Sequence, residues 1–134
     1  MKITGELRER MIAYLADSES RQIISCVTKE PKTATTIMTE LNLPASSAYR
    51  KISDLRDSGL LMVDTFLLRP DGKREALYSC SFTEVGLKVE SGNIVLEVVP
   101  SKRSLEKRWF ELFFSKTKSH ADQDSGSPET SSSA

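Results

Sequence analysis

The spacing of apolar and polar positions changes twice along the chain. Up to Gly59 the apolar residues recur three and four positions apart, which is the spacing of helices that bury one side. Beyond it they alternate with polar residues in four short runs, as in β-strands, and near residue 102 the helical spacing returns. This order predicts an α+β chain with helices first, then two hairpins and a closing helix.

Four helices are predicted before Gly59, and residues suited to N-capping precede three of them. These are Thr4, Asp17 and Thr33. The second helix is expected to end before Pro31, because the residue before a proline is pushed out of the helical region. Asn42, which tolerates left-handed backbone, is expected to turn the chain between the third and fourth helices. The predicted helices span about 5–16, 19–29, 34–41 and 45–58.

The fourth predicted helix has one apolar and one polar side. Ala48, Ile52 and Leu55 are spaced four and three apart and form the apolar stripe. The opposite side carries hydroxyls, one aromatic ring and one guanidinium. With the short helix before it, this segment predicts a helix-turn-helix whose polar face fits a DNA major groove. That face consists of Ser46, Tyr49, Arg50 and Ser53.

The alternating runs after Gly59 predict two hairpins. Pro70-Asp71-Gly72 is a strong turn signal between the first two runs, and a basic hairpin directly after such a helix is a wing. Ser91-Gly92-Asn93 separates the next two runs, which favours a second hairpin over 83–100. A helix near 83–90 is the alternative, and the β-branched residues favour the strand.

The closing helix is predicted over about 102–116 and has an apolar arc wider than half its circumference, because Phe110 and Phe114 extend the main stripe. One side of a small domain cannot cover such an arc, so a second copy of the chain is the simplest partner. The alternative is packing within the chain. The predicted dimer interface, which adds one face of the first helix, is Leu7, Met11, Tyr14, Leu105, Trp109, Leu112 and Phe113.

Charge alters this picture only slightly. The 134 residues carry 19 basic and 19 acidic side chains, but residues 119–134 hold three acids and no Lys or Arg. The remainder is therefore mildly basic, and the Ser-rich acidic tail is expected to be disordered. Neither a long apolar run nor a signal peptide is evident, so we expect a cytoplasmic, nucleoid-associated protein without a membrane partner.

The sequence holds no recognisable catalytic or metal-binding set. Cys26 and Cys80 are far apart and lack a CxxC or His neighbour, and His120 falls in the tail. Acidic residues are spread without a convergent pair, and no glycine-rich phosphate loop is present. We therefore expect no enzyme activity, no cofactor and no metal.

The order of elements resembles the winged helix-turn-helix transcriptional regulators. The run SSAYRKISDLRDSGLL is similar to ArsR-like and archaeal members, whose recognition helix ends in a Leu, polar residues, Gly and Leu. Here these are Leu55, residues 56–58, Gly59 and Leu60. The second hairpin and the acidic tail depart from the common pattern. Metal-sensing members carry Cys or His ligands on a helix, and this chain has no such cluster, so metal sensing is not implied.

This fold predicts contacts with double-stranded DNA from three places. Arg50 is suited to bidentate pairing with guanine, while Lys51 lies nearer the core side and is suited to a phosphate. The wing turn and the start of the third helix supply further basic and hydroxyl groups, with Thr33 acting mainly as a cap. The predicted DNA contacts are Ser46, Ser47, Tyr49, Arg50, Lys51, Ser53, Arg69, Lys73, Arg74, Lys32 and Thr35.

The sequence thus predicts a homodimeric, sequence-specific DNA-binding regulator of prokaryotic, archaeal-like type. One alternative is a winged-helix docking module for other proteins, which would expose an apolar patch on the recognition helix or the wing. Another is a ligand-responsive sensor whose effector the sequence does not identify. The predicted segments are an N-terminal helix (1–17), a winged helix-turn-helix domain (18–82), a second hairpin (83–100), a C-terminal helix (101–118) and a tail (119–134).

Overall fold

The computed structural model describes residues 1–115. Its helices are α1 (Gly5–Ala16), α2 (Ser18–Cys26), α3 (Ala34–Leu41), α4 (Ala45–Asp57) and α5 (Lys102–Glu106), and residues 109–115 are also helical. Its strands are β1 (Lys2–Ile3), β2 (Lys32–Thr33), β3 (Leu61–Leu68), β4 (Arg74–Cys80), β5 (Phe82–Glu90) and β6 (Asn93–Pro100).

The strands form two antiparallel three-stranded sheets. In the first, the order is β2-β4-β3, so the short strand before α3 pairs with the second strand of the wing. In the second, the order is β1-β6-β5, so the N-terminus pairs with the second hairpin. Helices α2, α3 and α4 together with the first sheet make a winged helix-turn-helix fold, which confirms the predicted fold class.

One hydrophobic core joins the helices to both sheets. Ile23, Ile37 and Leu55 come from successive helices of the winged domain, and all are fully buried. Leu96 and Val98 of β6 belong to the same cluster. Each such side chain contributes about 1.5–3 kcal/mol relative to an exposed position. The second hairpin is therefore part of the domain core.

The helix ends largely follow the capping pattern. The Asp17 carboxylate accepts from the Ser20 N–H at 3.0 Å, and the Thr33 hydroxyl accepts from the Thr36 N–H at 3.2 Å. Asn42 has the left-handed φ of 53° expected of the turn between α3 and α4. Thr4 stands at the N-cap of α1 but makes no capping bond through its side chain. Helix α2 ends at Cys26, three residues short of its predicted end at 29.

Residues 82–90 form a strand, so the helical alternative for this segment is excluded. The strand is joined to β6 by a two-residue turn, Ser91-Gly92, whose φ angles of 51° and 80° are both positive. Positive angles at both central positions define the tight turn whose twist matches a hairpin. The predicted second hairpin is confirmed, with bounds of 82–90 and 93–100.

The prediction of one long C-terminal helix is wrong. Helix α5 ends at Glu106, and Arg108 has a left-handed φ of 52° before residues 109–115 resume helical structure. The break redirects the aromatic residues toward the domain. Phe110 is only 5% exposed, and the Trp109 indole N–H donates to the carbonyl oxygen of Gly59 at 3.3 Å. Burial of these rings in their own chain compensates for the interrupted helix.

The tail expected over 119–134 lies outside the described residues. Of the helices in residues 1–115, none combines the length and apolar character needed to cross a membrane.

Candidate nucleic-acid interface

Helix α4 presents its polar side to solvent. Ala48, Ile52 and Leu55 are buried and anchor the helix on the core. On the other side Tyr49 is 51% exposed and Arg50 is also exposed. The predicted face therefore exists as a surface, completed by exposed Ser46 and half-buried Ser47 and Ser53.

Arg50 is available to an external acceptor. Within residues 1–115 its guanidinium takes part in no ion pair or hydrogen bond. Its neighbours Lys51 and Arg56 are both ion-paired inside the chain. A planar, unengaged guanidinium on an exposed helix face is suited to bidentate recognition of a base edge or a phosphate.

Lys51 is engaged on the opposite flank of α4. Its ammonium donates to the Asp17 carboxylate at 2.6 Å and lies 3.6 Å from that of Glu19. This bond, together with those from Ser20, lowers the pKa of Asp17 from 3.8 to about 2. The pKa of Lys51 is raised by the same bond. The contact ties the N-cap of α2 to α4, so a phosphate contact by Lys51 would require this ion pair to open.

The start of α3 is also engaged by acidic side chains. The Lys32 ammonium donates to the Glu40 carboxylate at 2.7 Å, which raises the pKa of Lys32 and lowers that of Glu40. The Thr35 hydroxyl donates to the Glu75 carboxylate at 3.2 Å. Of the predicted phosphate contacts, Lys32 and Thr35 thus have partners within the chain that the sequence pattern did not indicate.

The tip of the wing carries three basic side chains in three different settings. Arg69 pairs with Asp71 at 3.2 Å across the turn. The Arg74 guanidinium lies over the Phe66 ring, 4.4 Å from its centroid, a cation–π arrangement. Lys73 is exposed, and its ammonium has no ion pair among residues 1–115. Lys73 is therefore the wing cation most available to a phosphate.

Apolar side chains are exposed on the same wing. Phe66, Leu67 and Leu68 stand in sequence at the end of β3, and Leu68 is 75% exposed. Three consecutive apolar residues at this point interrupt the alternation of the strand, which is the sequence signal for the patch. Such a patch is the feature expected of a protein-docking wing.

Comparison with solved structures finds partial matches, among them the following two. NolR from Sinorhizobium fredii is similar over 80% of this chain and 81% of its own, with 16% identity and a TM-score of 0.39. The homodimeric winged helix-turn-helix DNA-binding domain of a possible ArsR-family transcriptional regulator from Mycobacterium bovis is similar over 88% of this chain and 84% of its own, with 14% identity and a TM-score of 0.41. No protein-family model matches the sequence, and no curated protein does. Similarity at this level assigns neither a family nor a function.

The carbonyl oxygen of Gly59 joins the end of α4 to the rest of the chain. It accepts from the Ser81 hydroxyl at 2.6 Å as well as from Trp109. The Phe113 ring lies against the same glycine, so that an added Cβ would meet it at 3.0 Å. These contacts fix the base of the wing relative to α4. The helical spacing of the C-terminal aromatics suggested burial but not this location.

The residues predicted for a dimer interface do not form one stripe. Met11 is fully buried in the core of its own chain, so its assignment to an interface is wrong. The break at Arg108 separates Leu105 from the aromatic turn that follows. Leu105 and Leu112 are exposed. The other four, Leu7, Tyr14, Trp109 and Phe113, are half-buried against their own chain.

Both cysteines are free thiols. Cys26 is half-buried and Cys80 is buried, and burial raises the pKa of each. In the part of the chain that the structure describes, no three His, Cys, Asp or Glu side chains are grouped as a metal site requires.

Proposed function

We propose that this chain is a DNA-binding transcriptional regulator that places α4 in a major groove and its wing against the flanking backbone. The observation that carries the proposal is the exposed face of α4, where Tyr49 and Arg50 project from a helix whose opposite side is buried. A helix anchored in this way can enter a groove without unpacking the domain.

The start of α4 supports the same orientation. Pro44 occupies the N-cap position, and no side chain caps the first turn. The first N–H groups of a helix need external acceptors, and a phosphate oxygen is a suitable one. Ser46, exposed in that turn, adds a hydroxyl of the kind that often contacts the DNA backbone.

The modest charge of this surface favours two copies acting together. Among the cations of the α4 face and the wing tip, Arg50 and Lys73 have neither an ion pair nor a cation–π contact within residues 1–115, and each phosphate contact contributes only part of the affinity. A homodimer doubles the contacts and would read two half-sites about one helical turn apart.

Selection from a pool of random duplexes tests the proposal. The full-length protein is incubated with the pool at low salt, bound duplexes are amplified, and the cycle is repeated against a mock selection without protein. We expect enrichment of a short motif, repeated with two-fold symmetry. A pool that stays random after several cycles, with the protein folded throughout, would contradict the proposal.

A second candidate function is docking of another protein through the wing. The exposed patch of Phe66, Leu67 and Leu68 favours it, since a wing that contacts only phosphates has no need of three adjacent apolar side chains. The selection also separates the two candidates, because a docking module would enrich no motif.

A further inference from the structure

Strand β5 lies at the edge of its sheet. In the order β1-β6-β5, one side of β5 pairs with β6, and no strand within residues 1–115 pairs with the other side. The strand is nine residues long and contains no proline. A long edge with free N–H and C=O groups is a template for pairing with a further strand.

The two-residue turn determines which main-chain groups of β5 face outward. Glu90 and Asn93 close the turn and form a hydrogen-bonded pair, and such pairs alternate with non-bonded ones along an antiparallel ladder. The N–H and C=O groups of Lys88, Gly86 and Glu84 therefore point toward β6. Those of the intervening Val85, Leu87 and Val89 point toward the free edge.

The two faces of β5 differ in chemistry. Glu84, Gly86 and Lys88 lie on one face, and Val85, Leu87 and Val89 lie on the other. The apolar face is only partly covered. Its inner end borders a groove of about 390 Å³ lined by Ile12, Leu15 and Val85, while Leu87 and Val89 are 54% and 67% exposed.

We propose that β5 pairs with β5 of a second copy of this chain, antiparallel and centred on Gly86. In this register Glu84 stands opposite the partner's Lys88, and Lys88 opposite the partner's Glu84. These are non-bonded pairs, in which side chains approach most closely, so the opposite charges meet. On the other face Val85 stands opposite the partner's Leu87 in a hydrogen-bonded pair. Leu87 of the second copy then lies beside Val85 and extends the apolar face next to the groove.

Charge disfavours the neighbouring registers. Centring on Glu84 or on Lys88 sets like charges directly opposite each other, and centring on Leu87 sets Glu84 opposite the partner's Glu90. Centring on Val85 sets neither Glu84 nor Lys88 opposite a charge of the other sign. A two-fold axis that falls between two residues would set side chains of the apolar face opposite those of the polar face. Centring on Val89 sets Lys88 opposite the partner's Glu90, but only residues 88–90 of each strand then overlap. The register centred on Gly86 pairs all nine residues of β5, sets opposite charges against each other at positions 84 and 88, and places no side chain at the two-fold axis.

The proposal deepens the homodimer part of the proposed function, and it is tested without DNA so that its failure leaves the DNA-binding proposal intact. The molar mass of the full-length protein is measured by analytical ultracentrifugation over a range of concentrations. We expect twice the chain mass of 15.0 kDa for the unmodified protein. Glu84→Lys and Lys88→Glu, measured separately, each set like charges opposite each other and should raise the dissociation constant at least about tenfold.

Mixing provides the decisive step. In the Glu84→Lys chain, positions 84 and 88 are both lysine, and in the Lys88→Glu chain both are glutamate. An equimolar mixture should therefore form heterodimers, although each variant alone dissociates. The Glu84→Lys/Lys88→Glu double variant should dimerise like the unmodified protein. Lys2→Glu, at the opposite edge of the same sheet, is the matched control and should leave the mass unchanged, with circular dichroism verifying the fold of every variant. A monomeric unmodified protein, or a dimer that neither reversal weakens, would overturn the proposal.

Discussion

The two hairpins of this molecule have similar lengths but different distributions of charge. The wing, residues 61–80, carries three basic and three acidic side chains, and all three basic ones lie at its tip, residues 69–75. The second hairpin, residues 82–100, carries one basic and three acidic side chains. The wing leads directly from α4 and extends away from the core. The second hairpin is buried at its base by Leu96 and Val98 and has a free edge at β5.

This difference separates two tasks. A basic tip next to an exposed helix face is suited to a polyanion, while an acidic hairpin would repel one. In β5, Glu84 and Lys88 stand symmetrically on either side of Gly86, in an order that is complementary to itself. DNA and a second copy of the chain therefore need not compete for the same surface.

The largest expected effect concerns the DNA side of this comparison. Arg50→Ala removes the unengaged guanidinium of α4, and loss of a bidentate base contact costs about 1–3 kcal/mol. Fluorescence anisotropy with the selected duplex should show the weaker binding, and the preference for that duplex over a scrambled one should shrink. The molar mass of the protein should not change. Unaltered affinity and preference would remove Arg50 from the interface.

A smaller effect is expected at the wing tip. Lys73→Ala should weaken binding to selected and scrambled duplexes alike, because a phosphate contact carries no sequence information. The slope of log K against log salt should become shallower by about 0.9 for the lost phosphate contact. Lys2→Ala removes the same charge from the sheet that contains the second hairpin and should leave the slope unchanged. If the two variants showed the same slope of log K against log salt, the wing would not be the hairpin that contacts DNA.

The smallest effect is a pH dependence of stability at the contact that fixes α4. Asp17 has its pKa lowered from 3.8 to about 2, chiefly by the bond from Lys51. A carboxyl whose pKa is lowered by folding stabilises the folded state at any pH above its ordinary pKa. This stabilisation is lost as the pH falls through the lowered pKa. The unmodified protein should therefore melt at a higher temperature than Asp17→Asn at pH 5, and this difference should shrink between pH 4 and 2.

Asparagine is a matched replacement there, because it still serves as an N-cap and removes only the charge. Thermal melts followed by circular dichroism at each pH measure the difference. A difference in melting temperature that is as large at pH 2 as at pH 5 would contradict the assigned charge contact.

Local patterns were sufficient to predict most elements of the fold. The stripe of Ala48, Ile52 and Leu55 predicted α4, and Asn42 predicted the turn before it, because both depend on neighbours in sequence. The strands β1 and β2 were not predicted. Each has two residues and forms only because a partner strand is brought to it from a distant part of the chain.

The C-terminal break could not be read from local sequence either. Neither glycine nor proline occurs near Arg108, so helical spacing appeared continuous through it. The break accompanies the contact of the aromatic residues with Gly59. Trp109, which donates to the Gly59 carbonyl, is fifty positions away from it in the chain. The same kind of spacing placed Met11 in the predicted dimer interface, since periodicity identifies the apolar side of a helix but not what covers it.

The sequence predicted which side chains of the candidate site are exposed, but not which of its cations are free of ion pairs within the chain. Exposure of Tyr49 and Arg50 followed from helical geometry. The engagement of Lys51 by Asp17 and of Lys32 by Glu40 did not, because acidic partners meet these lysines through the tertiary fold or across a helix. Whether a cation is ion-paired or available thus depends on the tertiary fold and not on helical spacing.

The most direct test of the account is photo-crosslinking from its two surfaces in one experiment. A benzophenone amino acid replaces Tyr49 in one sample and Val89 in another, and each full-length protein is irradiated with the selected duplex. The account predicts a protein–DNA adduct from position 49 and a covalent protein dimer from position 89. DNA adducts from position 89, or none from position 49 while the duplex remains bound, would contradict it.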